Sequence, residues 1–301
     1  MQIQHNQTLW LNLANPENKD LVFLQDELKI SPAVQKELLG FNKRPKVEEY
    51  DNYLFLVLHF PVFHEGTRQT VPTELDFIVT QNRVITIYQN TNPSLEKFFD
   101  EVKNNNDLQA NYFRSPAYLL FCILDRLVDS CLPMLDHIHE KIEVIEQAVF
   151  KGKEKEMLKE IAIVKRDIID FRRTIKPQRL VLELLGKKIN RFFKQAFDFI
   201  AQEVIGSEVR VWNILENHKE LIEAIEKTNE GLLSFQINRV MHTLTFFSII
   251  LFSLTFIASF FSMQMVKNLL IGHPFGLWII MGIMLADVLL ITILFKRKRW
   301  M

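Results

Sequence analysis

The sequence predicts an α+β chain: a small α/β domain, then long helices, then a two-helix transmembrane hairpin at the C-terminus. Three observations carry this reading. Two apolar runs of 21 residues, Thr243 to Met263 and Phe275 to Phe295, are followed by Lys296-Arg297-Lys298-Arg299. From Ser115 onward the apolar residues recur at helical spacing almost without interruption. Before it, short apolar runs bounded by turn residues alternate between strand and helix patterns.

The hairpin is the strongest of the three signals. Its first run holds no charged residue and its second holds only Asp287. At ~1.5 Å per residue, each run crosses a hydrocarbon core of about 30 Å. Basic residues follow the second run and only Lys267 lies between the two, so the charge bias predicts both termini in the cytoplasm. The expected division is 1–113 as a cytoplasmic α/β domain, 114–189 as an antiparallel helical pair and 190–242 as a cytoplasmic stalk. Residues 243–263 and 275–295 are the spans, 264–274 an external loop and 296–301 a basic tail.

Taken in order, Gln7 to Leu13 reads as a strand, and Asn15-Pro16 as the cap and first-turn proline of a helix to Leu28. Ser31-Pro32 repeats that device for a short second helix. Strands are expected at Val47 to Tyr50, Tyr53 to Phe60, Glu74 to Thr80 and Val84 to Gln89, with Asp51-Asn52 as a hairpin turn. A helix from Pro93 to Val102 closes the domain. Ser115-Pro116 then starts a helix that Pro133 kinks. Lys151-Gly152-Lys153 turns the chain into a second long helix, Glu154 to Leu185, ended by Gly186. A third helix from near Asn190 runs on into the first span, with Gly206 and Gly231 as weak points.

Composition excludes several classes. Net charge is zero and the hydrophobic share is 48%, so no basic face suggests a nucleic-acid partner apart from the juxtamembrane cluster. The start Met1-Gln2-Ile3-Gln4-His5 carries no secretory signal pattern. Cys122 and Cys131 are expected as reduced, packed thiols. His137 and His139, two apart, do not share a helix face and read as solvated. His59 and His64 lack partners at zinc-site spacing, and His242 sits beside the stripe described below. His273 is the titratable group of the loop, open to a metal or proton role. No Gly-rich phosphate loop, Ser-His-Asp order or paired-carboxylate constellation points to an enzyme, and no cofactor is expected.

The polar residues of the first span form a stripe. Asn238, Met241, Thr245, Ser248, Phe252, Thr255, Ser259 and Ser262 follow one another at alternating steps of three and four, the seam period of a supercoiled bundle. Small hydroxyl residues let membrane helices pack closely; repeated around a symmetry axis, the same stripe lines a narrow wet path. Asp287 lies twelve residues into its span, about 18 Å down and level with Ile250. Ser248 or Ser253 is placed to satisfy it, and both a structural and an ion- or proton-coupling role stay open.

Several stretches resemble the CorA-type magnesium and cobalt transporter family over essentially the whole chain. They are Lys46-Val47-Glu48-Glu49-Tyr50-Asp51-Asn52-Tyr53-Leu54-Phe55, Glu74-Leu75-Asp76-Phe77-Ile78, Arg172-Arg173-Thr174-Ile175-Lys176-Pro177, Leu254-Thr255-Phe256-Ile257-Ala258 and the basic end. The resemblance implies a homopentamer in the cell inner (plasma) membrane, with a cytoplasmic funnel and a pore lined by the first span. Its substrate would be a divalent metal cation such as magnesium, cobalt, nickel or zinc, which could also act as a gating ligand inside the cell.

The family's filter motif is altered. Most members carry Gly-Met-Asn where this chain has Ser262-Met263-Gln264. Gln264 keeps an amide able to bond the shell of a hydrated ion but adds a methylene, and Asn238 supplies a second amide lower on the stripe. Extending the stripe backwards reaches Lys227, which in a pentamer would oppose cation entry unless Glu223, Glu226 or Glu230 neutralise it. The expectation is a CorA-like divalent-cation channel with altered selectivity. The alternative is a CorA-like protein that conducts poorly or passes another solute.

Overall fold

The computed structural model describes residues 1–42, 44–64, 69–89, 91–262 and 275–297. Six strands form one sheet: β1 Gln2–His5, β2 Thr8–Ala14, β3 Lys46–Glu49, β4 Leu54–His64, β5 Gln69–Val79 and β6 Arg83–Tyr88, in the order β1-β2-β6-β5-β4-β3. Only β2 and β6 run parallel. All other neighbours are antiparallel. The expected strands are present, and β1 is an additional one that pairs Ile3 with Trp10.

Two short helices, α1 Asn18–Leu28 and α2 Pro32–Leu38, lie against one face of the sheet. Leu24, Val34 and Leu38 pack there on Phe55, Val57, Ile78, Ile85 and Ile87. α1 begins later than its sequence suggests, because Glu17 and Asp20 close a capping box that puts the cap two residues past Asn15. Ser31 caps α2 as expected, its hydroxyl accepting from the Val34 N–H. Trp10, wholly buried, donates from Nε1 to Thr86 Oγ1 at 3.1 Å, and Thr86 donates to Asn12 at 2.6 Å. The indole edge also packs on Phe99, a residue of α3 Pro93–Lys103.

The helical part differs from expectation in its breaks. α4 Asn106–Tyr112 is an extra short helix. Pro133 does not kink one helix; it sits in the first turn of α6 Leu132–Phe150, after α5 Pro116–Asp129 has ended. The second long helix is two, α7 Glu154–Ile175 and α8 Gln178–Phe193, broken at Lys176-Pro177. Gly186 ends nothing. It lies inside α8, where a Cβ would come within 3.3 Å of the Ala201 Cβ, so it marks a close approach of two helices. The chain leaves α8 through Lys194 in the left-handed conformation, φ 51, and α9 starts at Asp198 instead of near Asn190.

The family-like residues of β3 and β4 hold this fold together. Lys46 Nζ lies 2.6 Å from Glu37 and 2.9 Å from Glu48, and Tyr50 donates to Glu48 at 2.9 Å. Tyr50 stacks on Tyr53, whose hydroxyl accepts the Ser31 N–H. Glu49 pairs with Arg191 of α8. By compactness the chain divides into a unit of Met1–Glu226 and a unit of Lys227–Met301.

One buried acid works against stability. Asp76 on β5 lines a cavity of about 290 Å³ with Glu74, Leu38 and Phe41. Burial, and then the neighbouring Glu74, push its carboxyl up to about 9. The folded chain therefore holds a proton that the unfolded chain releases above about pH 4, so stability falls as pH rises through that window. Asp76→Asn should raise the thermal midpoint of purified protein by about 3 °C or more at pH 8 and leave it unchanged near pH 4. A lower midpoint at pH 8 would show that the carboxylate is paired.

Candidate functional site: the polar face of the long helix

α9 runs Asp198–Ser262, 65 residues, about 98 Å of helix. No proline interrupts it, and a Cβ built at Gly206 or Gly231 meets open space. Neither glycine is a break. Its C-terminal part and α10, Gly276–Arg297, are both long and apolar enough to cross a membrane. Within this second unit the two helices meet along one side. Phe246, Ile291 and Phe295 form a buried cluster with Ile250 against it, and the Ser253 hydroxyl donates to Asp287 at 2.6 Å.

The stripe lies on another side of α9. At 3.6 residues per turn its mean direction is about 150° from that of Phe246, Ile250 and Ser253. Asn238, Met241, Thr245, Ser248, Phe252, Thr255, Ser259 and Ser262 are all exposed in the single chain, Phe252 at 78%. Thr245 and Thr255 donate to the carbonyls of Met241 and Leu251, four residues back, at 2.8 and 2.7 Å. That uses the hydroxyl hydrogens internally and leaves their oxygens outward as acceptors. Met263 and Gln264, with Lys267, His273 and the tail from Lys298, lie outside the described residues.

Because α9 is continuous through Gly231, the register of Lys227 follows directly. Eighteen residues, five full turns, separate it from Thr245, so both share a face. Lys227 is exposed and makes no ion pair among the described residues. Of the three carboxylates expected to neutralise it, Glu226 is engaged by Lys165 at 2.5 Å and Glu223 lies 3.7 Å from Lys219. Among the described residues no three His, Cys, Asp or Glu side chains converge on a metal position.

The lower part of α9 is tied down in the first unit by residues of the Arg172 to Pro177 stretch. Arg172 pairs with Glu216, and both Arg172 and Lys176 lie over the Trp212 ring, at 5.1 and 5.9 Å. His139 is exposed, as expected, and its ring also stacks on that of His218 with centroids 5.4 Å apart. Burial and the neighbouring His139 hold His218 below its ordinary range, against the pull of Asp136. His218 and Asn229 interrupt the buried stripe Leu215, Ile222, Ile225 of α9, and that interruption was legible in the sequence.

The described residues thus give an α/β domain, long helices and two helices apolar enough to cross a membrane. The chain matches the CorA-like Mg2+ transporter protein family over residues 5–297, and it belongs to that family. It is 24% identical to the cobalt/magnesium transport protein CorA of Thermotoga maritima, over 97% of this chain and 83% of that protein. It is 25% identical to the putative metal ion transporter YfjQ of Bacillus subtilis, over 97% and 89%. Its fold matches the complete CorA magnesium transporter of Methanocaldococcus jannaschii with TM-score 0.83 at 18% identity, covering 100% of this chain and 94% of that one. The full-length CmaX protein matches with TM-score 0.75 at 17% identity, over 97% and 89%. The chain is therefore a CorA-like transporter and not an enzyme.

If the stripe borders water, cysteines placed at 248 and 255 will react with membrane-impermeant thiol reagents at least tenfold faster than cysteines at 246 and 250. Labelling of 248 and 255 from the lipid phase alone would remove the stripe from the ion path.

Proposed function

We propose that this protein is a homopentameric channel of the cell inner membrane, with both termini in the cytoplasm, whose ion path is lined by the stripe on α9. The observation that carries the reading is the direction of that stripe. Hydroxyls and an amide at regular steps face away from α10 and are exposed among the described residues of the single chain. Such a face is costly against hydrocarbon and is relieved when copies gather around an axis. The substrate is a divalent metal cation such as magnesium, cobalt, nickel or zinc, and the same ion class serves as a gating ligand on the cytoplasmic side.

Selectivity is set by Ser262-Met263-Gln264 in place of the family's Gly-Met-Asn. A glutamine amide ring contacts the ion's hydration shell with one more torsion than asparagine allows, and Asn238 offers a second amide ring below it. Purified protein in liposomes, loaded and assayed with magnesium, cobalt, nickel and zinc in turn, tests this. Gln264→Ala should abolish uptake, whereas Gln264→Asn should keep it and sharpen the preference for magnesium. Equal uptake by wild type and Gln264→Ala would sink the filter role.

A second reading, in which the pore conducts cations poorly or passes another solute, is favoured by Lys227. Two unit charges about 10 Å apart in a wet passage interact by roughly 0.4 to 1.7 kcal/mol, and a divalent ion doubles this for each lysine. With Glu226 and Glu223 engaged elsewhere, Lys227→Ala should raise divalent-cation flux severalfold at low salt and less at high salt. A rise in cation flux accompanied by loss of chloride flux would favour the second reading. Unchanged flux at both ionic strengths would show that Lys227 does not face the path.

A further inference from the structure

The contact between the two spans has a feature that ion passage along the stripe does not use. Antiparallel, α9 presents Phe246, Ile250 and Ser253, and α10 presents Phe295, Ile291 and Asp287. The lower end of this contact is apolar: Phe246 meets Phe295 with ring centroids 5.2 Å apart, and Ile250 and Ile291 belong to the same cluster. Apolar faces in a bilayer gain little by meeting each other instead of lipid. Such a contact does not fix how a helix is turned about its own axis. The upper end is directional, since Ser253 donates to Asp287 at 2.6 Å and its oxygen lies 3.0 Å from the Ile250 carbonyl one turn back.

An aspartate inside a span is costly and persists where it performs a task. A leucine at 287 would cover Ser253 and Ile250 at no such cost. The face that Asp287 grips stands about 150° from the stripe, so whatever holds Ser253 also aims Thr245, Ser248, Thr255 and Ser259. Turning α9 by one residue, about 100°, would replace those four with Phe246, Ile249, Phe256 and Phe260 on the same face. That face would then be bulky and apolar.

We propose that Asp287 is a positioning residue for transport: through Ser253 it sets the rotation of α9 that points the hydroxyl stripe into the ion path. The proposal rests on the stripe lining that path. It predicts that the hydrogen bond matters and the charge does not, because an asparagine at 287 still offers an acceptor to Ser253.

The test uses the full chain in liposomes, with single cysteines at 255 and at 256, neighbours about 100° apart on α9, in separate backgrounds. Without further change, the cysteine at 255 should react with an impermeant thiol reagent at least tenfold faster than that at 256. In the Asp287→Leu background the ratio should fall to threefold or less and uptake should drop at least tenfold. Asp287→Asn should keep both within threefold of wild type. Ser253→Ala supplies the same loss of the bond without a change in α10, and the double variant Ser253→Ala/Asp287→Leu should be no worse than either single one. Size-exclusion profiles exclude failure of assembly as the cause. A ratio unchanged in both Asp287→Leu and Ser253→Ala overturns the positioning role while the path along the stripe stands. Cysteines at 248 and 255 that never react from water overturn the path, and the positioning role with it.

Discussion

Hydroxyl and amide groups on a membrane helix must meet water, protein or each other, because hydrocarbon offers them nothing. That constraint organises the C-terminal unit. α9 carries one face that α10 occupies and another, about 150° away, that is exposed among the described residues. The backbone is satisfied within each helix, and Thr245 and Thr255 return their hydrogens to it. What remains unsatisfied is the acceptor surface of the stripe, which asks for a solvated path or for other copies of the same chain.

The lower half of α9 is held by a different chemistry. Lys165, Arg172 and Lys176 of the α7 region reach its Glu226, Glu216 and Trp212. These contacts are partly exposed, so each contributes little by itself and responds to salt. The stacked pair His139 and His218 adds a buried ring at the α6 side. One uninterrupted helix thus has a polar, adjustable anchor in the first unit and a mostly apolar partner in the second.

Several residues that make the chain recognisable serve the scaffold. Lys46, Glu48 and Tyr50 knit β3 to α2, Glu49 binds α8 through Arg191, and Arg172 binds α9. The sequence departs from the family's Gly-Met-Asn motif at Ser262-Met263-Gln264, and in the proposed channel these positions and Lys227 act on the ion. A family-like frame around an altered motif is what the proposed change of selectivity requires. Asp76 also lies in a family-like stretch, yet it does not strengthen the scaffold, since it is a buried acid that the sheet tolerates against stability.

By itself the sequence determined the two spans, the striped helix, most strands and the caps at Ser31 and Ser115, because local spacing and capping chemistry decide those features. It also placed Asp287 level with Ile250 and offered Ser248 or Ser253 as its partner. Only the tertiary structure chose Ser253, because the choice depends on which side of α9 faces α10. The same limit explains the misread breaks. Gly186 looked like a helix end, yet it is a contact point with Ala201, and Asn190 looked like a helix start, yet it accepts the Phe197 N–H and donates to Asp198. The continuity of α9 through Gly231, which fixes the face of Lys227, was undecided in the sequence for one reason. A glycine permits a break without requiring one, and the surrounding helix decides.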